Sequence, residues 1–86
     1  MTISSGQMSV GTVASLIDGT FNSNFRLIVH NNDNTDAVFL GGETVTIADG
    51  LKLDKSQFIQ FDMNPLERVY AVSPKNGHTI SYLKQV

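Results

Sequence analysis

Short apolar runs alternate with turn-forming residues along most of this 86-residue sequence, and this spacing constrains its fold more than any other feature. From Val10 onward a turn signal such as Asp18-Gly19, Gly41-Gly42 or Asp49-Gly50 recurs about every 8–12 residues. Apolar residues at helical spacing are nearly absent. Turn signals about every 8–12 residues are typical of β-sandwiches and barrels, so the sequence predicts an all-β fold.

Period-two alternation identifies the individual strands, because successive side chains of a strand point to opposite faces of its sheet. Phe25, Leu27 and Val29 form one such apolar row. The predicted strands are 10–17, 25–30, 37–40, 44–47, 51–53, 57–63, 68–73 and 78–84. Asp49-Gly50 predicts a hairpin, and so does the four-residue loop 74–77. We therefore expect a compact antiparallel β-sandwich or barrel of seven to eight strands, jelly-roll-like in form.

The first nine residues differ from the rest, since Ile3 and Met8 are their only internal apolar side chains beside several Ser and Thr. This composition predicts a flexible N-terminal arm over 1–9 and a single β domain over 10–86. The arm is either a frayed terminus or a segment that orders against a neighbouring subunit. A chain this short has a small core, and without cysteine it has no disulfides, so oligomerisation is the remaining source of stability.

Charge and hydropathy exclude two classes of partner. The six Lys and Arg residues are scattered singly and the net charge is −2, so no basic cluster is present to neutralise successive phosphates. No apolar run approaches the roughly 20 residues of a membrane-spanning helix. We therefore expect neither nucleic acid nor membrane as a partner. Charged residues make up 16% of the chain, below the roughly 25% of typical soluble domains, which favours surfaces that face other proteins.

Residues with catalytic chemistry form no recognisable motif. His30 and His78 lie far apart in sequence, and no G-x-S-x-G nucleophile elbow accompanies them. We expect no enzyme and no cofactor. The competing hypothesis, a small enzyme with His30 or His78 as general base, requires a carboxylate or hydroxyl partner that the sequence cannot show.

The segment 31–36 holds five Asn and Asp residues and has two interpretations. Asn32, Asn34 and Asp36 alternate as calcium ligands do, and Glu43 stands where an EF-hand loop places its bidentate glutamate. The glycine of such a loop is replaced by Ala37, however, and the residues that follow read as a strand. We therefore expect a turn stabilised by Asx hydrogen bonds, with the ion site as the alternative.

Several apolar or aromatic residues occupy positions that are expected to lie outside the core, either in the polar row of a strand or in the predicted arm. In 37–40 both alternate rows are largely apolar, and single apolar residues interrupt the polar rows of two other strands. Such positions are buried either inside the sandwich or against another subunit. The predicted protein-interface residues are Ile3, Met8, Ile28, Val38, Leu40, Tyr70 and Leu83.

Three stretches carry a family resemblance, "RLIVHNNDNTDAVFLGGETVT", "GLKLDKSQFIQFDM" and "ERVYAVSPKNG". These stretches resemble small virion structural proteins of tailed bacteriophages. The shared elements are, in order, an Asn/Asp-rich turn, a Val-aromatic-Leu-Gly-Gly element, a Val-Thr strand and a Tyr-Ala-Val-Ser strand. The resemblance covers roughly two thirds of the chain and excludes the segment up to about Asn24. It implies a β-sandwich or barrel on the phage particle and no catalytic residues.

The resemblance and the composition together predict a capsid decoration, or cement, protein at the capsid surface. Its partners would be the major capsid protein, whose neighbouring subunits it bridges, and its own copies in a homotrimer. The alternative is a tail or fibre module that binds a host receptor or glycan.

Overall fold

The structure, a computed structural model, describes residues 3–17, 23–33 and 35–85. Within these residues the chain forms eight strands: β1 (Ile3–Val10), β2 (Ser15–Leu16), β3 (Phe25–Asn31), β4 (Val38–Gly41), β5 (Leu51–Leu53), β6 (Phe58–Met63), β7 (Tyr70–Val72) and β8 (His78–Gln85). The first sheet has the order β1-β8-β3-β6 and the second the order β2-β7-β4-β5, and every pairing is antiparallel. Eight antiparallel strands in two such sheets form a jelly roll, and the predicted fold class is confirmed.

The core lies between the two sheets, where one row from each strand points inward. Phe25, Leu27 and Val29 of β3 are buried as their alternation predicted, at 5%, 2% and 0% exposure. The buried apolar cluster comprises Val10, Ile17, Phe25, Leu27, Val29, Val38, Leu40, Leu53, Met63, Ala71 and Ile80. Burial of this cluster supplies most of the driving force for folding, since burying one such side chain is worth about 1.5–3 kcal/mol.

The predicted arm is wrong for the residues that the structure describes. Ile3–Val10 is an eight-residue strand at the edge of the first sheet, paired without interruption from Ile3 opposite Gln85 to Val10 opposite His78. Its sequence has little hydrophobic content of its own, but main-chain hydrogen bonds to β8 need no particular side chain. Met8 also packs against the core. Tertiary pairing therefore orders a segment whose composition predicted an arm.

The loop 74–77 crosses between the sheets, so the predicted hairpin is wrong. β7 already pairs with β2 and β4, and β8 pairs with β1 and β3. The connection runs beside the one between β1 and β2, where Ser73 N donates to Gly11 O at 2.9 Å. Gly77 has a φ of 76°, which glycine adopts without strain. The turn-forming residues correctly predicted that the chain reverses here, but they could not show that β8 enters the other sheet and does not pair with β7.

The predicted strand 44–47 is instead part of the loop that joins β4 to β5. The carboxylate of Asp49 accepts hydrogen bonds from Thr46 N and Thr46 Oγ1 at 2.8 and 3.0 Å, and Gly50 N donates to Thr46 O at 2.9 Å. These local bonds replace the ladder that a strand would need. Val45 is only 8% exposed, so its apolar side chain packs inward from a loop.

Two similar turns flank β6. Gln57 N donates to Asp54 O and Glu67 N to Asn64 O, each at 3.2 Å. In both turns the side chain of the fourth residue accepts a hydrogen bond from the N–H of the first. The third residues, Ser56 and Leu66, have φ values of 59° and 65°, a region that favours glycine.

Candidate functional site

Two of the predicted interface residues, Val38 and Leu40, lie in the core and are wrong as interface positions. They are 0% and 2% exposed, and both point toward the first sheet. Phe39, between them on the opposite face of β4, is half-buried. The strand is covered on both faces as its sequence suggested, but the cover over Val38 and Leu40 comes from this chain and not from a partner.

The remaining predicted interface residues divide between surface and core. Ile28 and Leu83 lie directly opposite each other in β3 and β8, half-buried, on the face of the first sheet that points away from the core. Ile3 is 62% exposed on the same face of β1. Met8 points to the core side, which corrects its assignment to an arm contact. Tyr70 is half-buried in β7, opposite Gly41 of β4, and its interface role stays a prediction.

The outer face of the first sheet is a continuous surface built by four strands. It carries, from β1, β8, β3 and β6, the residues Ile3, Ser5, Gln7, Ser9, Thr79, Ser81, Leu83, Gln85, Arg26, Ile28, His30, Phe58, Gln60 and Asp62. Its only charged residues are Arg26 and Asp62, whose side chains lie 3.7 Å apart. The face is therefore uncharged along most of its extent, with an apolar pair at its centre.

Sequence reasoning missed Phe58, which is not among the predicted interface residues. It is 68% exposed at the edge of the outer face. The signal was present, because Phe58 shares the period-two row of Gln60 and Asp62, while Ile59 and Phe61 pack on the core. An exposed aromatic ring on a flat, weakly charged sheet favours contact with protein.

A chain of buried polar side chains lies where β3 ends and β8 begins. His78 Nδ1 lies 3.0 Å from Ser73 Oγ, and His78 Nε2 lies 2.7 Å from Asn31 Oδ1. These three residues are at most 1% exposed. Asn31 Nδ2 donates to three backbone carbonyl oxygens of neighbouring loops at 3.0 to 3.2 Å. The network thus connects three loops through one asparagine side chain.

Serine, histidine and asparagine linked by hydrogen bonds are also the parts of a nucleophilic triad. Asn31 Oδ1 can only accept, so Nε2 of His78 carries the ring proton and Nδ1 accepts from the Ser73 hydroxyl. That hydroxyl is enclosed, however, and a substrate cannot reach it. Burial lowers the pKa of His78, which favours the neutral ring. His30, the other candidate base, lies half-buried on the outer face with Nδ1 2.7 Å from Asn32 Oδ1.

Lys75 is held between two carboxylates of the Asn/Asp-rich turn. Its Nζ lies 2.6 Å from Asp33 Oδ2 and 3.0 Å from Asp36 Oδ2. Asp33 Oδ1 also accepts from the N–H groups of Thr35 and Asp36 at 2.7 and 3.0 Å, so the predicted Asx turn is confirmed. Hydrogen bonds from Lys75 and then Thr35 hold the pKa of Asp33 well below its usual range. The two carboxylates raise the pKa of Lys75.

The alternative interpretation of this segment, a calcium loop, does not fit the described residues. Asn32 Nδ2 donates to Ser81 Oγ at 2.6 Å, and the Asp36 carboxylate contacts an ammonium group. Asn34 lies outside the described residues. β4 stands between Asp36 and Glu43, so the segment continues as a strand and not as an ion-binding loop. Among the described residues, no three His, Asp or Glu side chains converge as metal ligands.

Comparison with known proteins identifies a fold and not a family. No protein-family model matches the sequence, and no curated protein matches it. The fold is similar to that of a chain in a solved structure described as "Bacillus endospore appendages form a novel family of disulfide-linked pili". The TM-score is 0.66 at 12% identity, over 99% of this chain and 85% of that one.

The likeness is thus to a structural protein of a pilus. It does not extend to the virion role that the sequence resemblance implies. Over the residues described, no helix is long and apolar enough to cross a membrane.

Proposed function

We propose that this chain is a structural subunit of an assembled particle, and specifically a capsid decoration protein that bridges neighbouring subunits of the major capsid protein. The observation that carries this proposal is the outer face of the first sheet. It spans four strands, and its only charges, Arg26 and Asp62, pair with each other. Its apolar side chains are suited to contact with other proteins.

The chemistry of that face supports many weak contacts in place of one tight pocket. Ile28 and Leu83 form a shallow apolar centre, and Ser, Thr and Gln side chains around them offer hydrogen bonds at low desolvation cost. A subunit repeated over a shell needs little affinity per copy, because linked copies bind through multivalency. Together with the resemblance to phage virion proteins, this favours a protein that covers a shell.

A second candidate function is a repeating subunit of an extracellular appendage or fibre. The observation that favours it is the similarity in fold to the endospore appendage chain. That structure is described as disulfide-linked, whereas these 86 residues contain no cysteine. An assembly built from these residues is therefore not held together by disulfides between them.

The experiment that tests the proposal is cryo-microscopy of purified capsids mixed with this chain. A decoration protein adds density of jelly-roll shape at fixed positions on the shell, and Ile28→Asp removes that density. The matched control, Thr79→Asp, adds the same charge on the same face, four residues from Leu83 along β8 and opposite Ser9, and binding persists. Filaments formed by the chain alone, with a bare shell, would support the appendage. Capsids without added density, in a mixture without filaments, would contradict both candidates.

A further inference from the structure

The four edge strands of the two sheets differ in how well they resist pairing with another chain. Natural sheets protect their edges by short strands, charged residues or proline. β2 has two residues, and β5 has three, of which Lys52 is charged. β6 contains Asp62 and ends next to Asn64-Pro65. Each of these three edges therefore carries at least one protective feature.

β1 has none of these protective features. It is eight residues long, has no charged residue and no proline, and pairs with β8 in one unbroken register without a bulge. The residues that follow β1, up to Ile17, have no charged side chain either. Within the described residues no strand pairs with the outer side of β1. Its outward main-chain groups are thus available to a further strand.

We infer that β1 is a docking strand and that its partner is β1 of a second copy of this chain, paired antiparallel about a two-fold axis. The two first sheets then join into one sheet of eight strands. This inference deepens the proposed function, because it names the surface through which the subunit first associates. It replaces the homotrimer expected from the sequence with a two-fold dimer.

The composition of the edges is what selects the second copy. A two-fold contact places the same strand opposite itself, so any charge on the strand would meet its own copy and repel it. β1 has no such charge and is compatible with itself in every register. Head-to-tail pairing would instead join β1 to one of the three protected edges, for example β6, which carries Asp62 and is bounded by tight turns. Pairing β1 with β1 uses the unprotected edge on both sides.

The test is sedimentation of the full chain over a range of micromolar concentrations, with the double variant Ser5→Lys and Gln7→Lys. Both side chains are exposed on the outer face of β1. A two-fold axis through residue 5, 6 or 7 places a lysine opposite a lysine in each case. Like charges directly opposite destabilise strand pairing, so we expect dimerisation to weaken about ten-fold or more. The melting temperature of the monomer should be unchanged.

The matched control is Phe58→Lys with Gln60→Lys, which adds the same two charges to the same face at the β6 edge. Its dimerisation should equal that of the unmodified chain. Hydrogen exchange provides a second measurement, since the amides of β1 should become more protected as the concentration rises. A chain that is monomeric or trimeric at every concentration would overturn the inference. So would dimerisation that the β6 variant abolishes and the β1 variant leaves intact.

Failure of the β1 dimer and failure of the proposed decoration role give different results. A monomeric chain that still decorates capsids would remove the docking strand and leave the structural role. If the β1 variant lost capsid binding in a chain that never dimerises, the partner of β1 would be the capsid protein and the inferred partner would be wrong. A dimer that binds no capsid would leave the inference intact and contradict the decoration role.

Discussion

Replacing Asn31 by alanine should destabilise this protein more than almost any other substitution of a polar residue. The Asn31 side chain is fully buried and makes five hydrogen bonds, three as donor through Nδ2 and two as acceptor through Oδ1. Asn31→Ala removes all of them at once. Its partners are spread over three separate parts of the chain, so no single neighbour can replace the asparagine.

The expected loss of stability depends on which partners of Asn31 are buried, because water cannot replace a hydrogen bond lost there. The Nε2–H of His78, in a residue that is 0% exposed, would be left buried without its hydrogen bond to Asn31, which costs about 1–3 kcal/mol. The carbonyl oxygen of Leu53, 4% exposed and paired with Val38 in the β4–β5 ladder, would lose its bond to the side chain at about 0.5–1.5 kcal/mol, so the total loss is about 1.5–4.5 kcal/mol. The remaining partners lie nearer the surface and can bind water. The whole free energy of unfolding of a small domain is only about 5–15 kcal/mol.

Urea denaturation monitored by circular dichroism measures this loss directly. At about 4–8 °C per kcal/mol for a domain of this size, the melting temperature should also fall by at least about 6 °C. Asn32→Ala is the matched control, because the neighbouring side chain makes its bonds at the surface, to Ser81 and His30. It should cost less than about 1 kcal/mol. Equal losses in the two variants would refute the argument that buried connectivity matters.

Three further predictions concern other parts of the fold. Burial lowers the pKa of His78 in the folded chain, so the unfolded chain binds the proton more readily. In the variant His30→Gln, which removes the other histidine, the free energy of unfolding should be constant above about pH 6.5 and fall below it. A melting temperature that stays the same from pH 8 to pH 5 would contradict this. Leu66→Gly should raise the free energy of unfolding by about 0.5–1 kcal/mol, because Leu66 is 61% exposed at a φ of 65°; destabilisation in urea would show that its side chain matters more than its backbone. Gly50→Ala should cost about 1–3 kcal/mol, since a Cβ there would lie 2.7 Å from Phe39 Cβ, and an unchanged denaturation midpoint would show that the loop adapts.

The sequence predicted the long central strands because their burial pattern is local. Phe25, Leu27 and Val29 alternate with less buried residues in β3, and β6 shows a similar alternation around Ile59 and Phe61. One sheet face against the core imposes that period directly on the chain. Elements with this pattern can be identified without knowing their partners.

The elements that were predicted wrongly depend on partners distant in sequence. β1 is ordered by β8, about seventy residues away in the chain, through main-chain bonds that composition does not report. The 74–77 connection has the residues of a hairpin loop, but the strands beside it belong to different sheets. In 44–47 the β-branched residues predicted a strand, and the Asp49 carboxylate overrode them with local hydrogen bonds.

The candidate interface was predicted in part for the same reason. Ile28 and Leu83 interrupt polar rows, and this local signal placed them on the outer face, where the structure has them. Val38 and Leu40 carry the same apolar signal but lie under the first sheet, and only the packing of the two sheets distinguishes the two cases. The hydrogen-bonding role of Asn31 had no sequence signal apart from its place in an Asn-rich turn.

The function that we propose for this chain is that of a subunit of an assembled structure. The most direct measurement is cryo-microscopy of particles and appendages purified from the source, with an antibody against this chain to identify the labelled assembly. We expect labelled assemblies whose maps contain this eight-stranded jelly roll at repeated positions, with the outer face of the first sheet against a neighbouring protein. Recovery of the chain only among unassembled proteins, with every particle and appendage unlabelled, would contradict it.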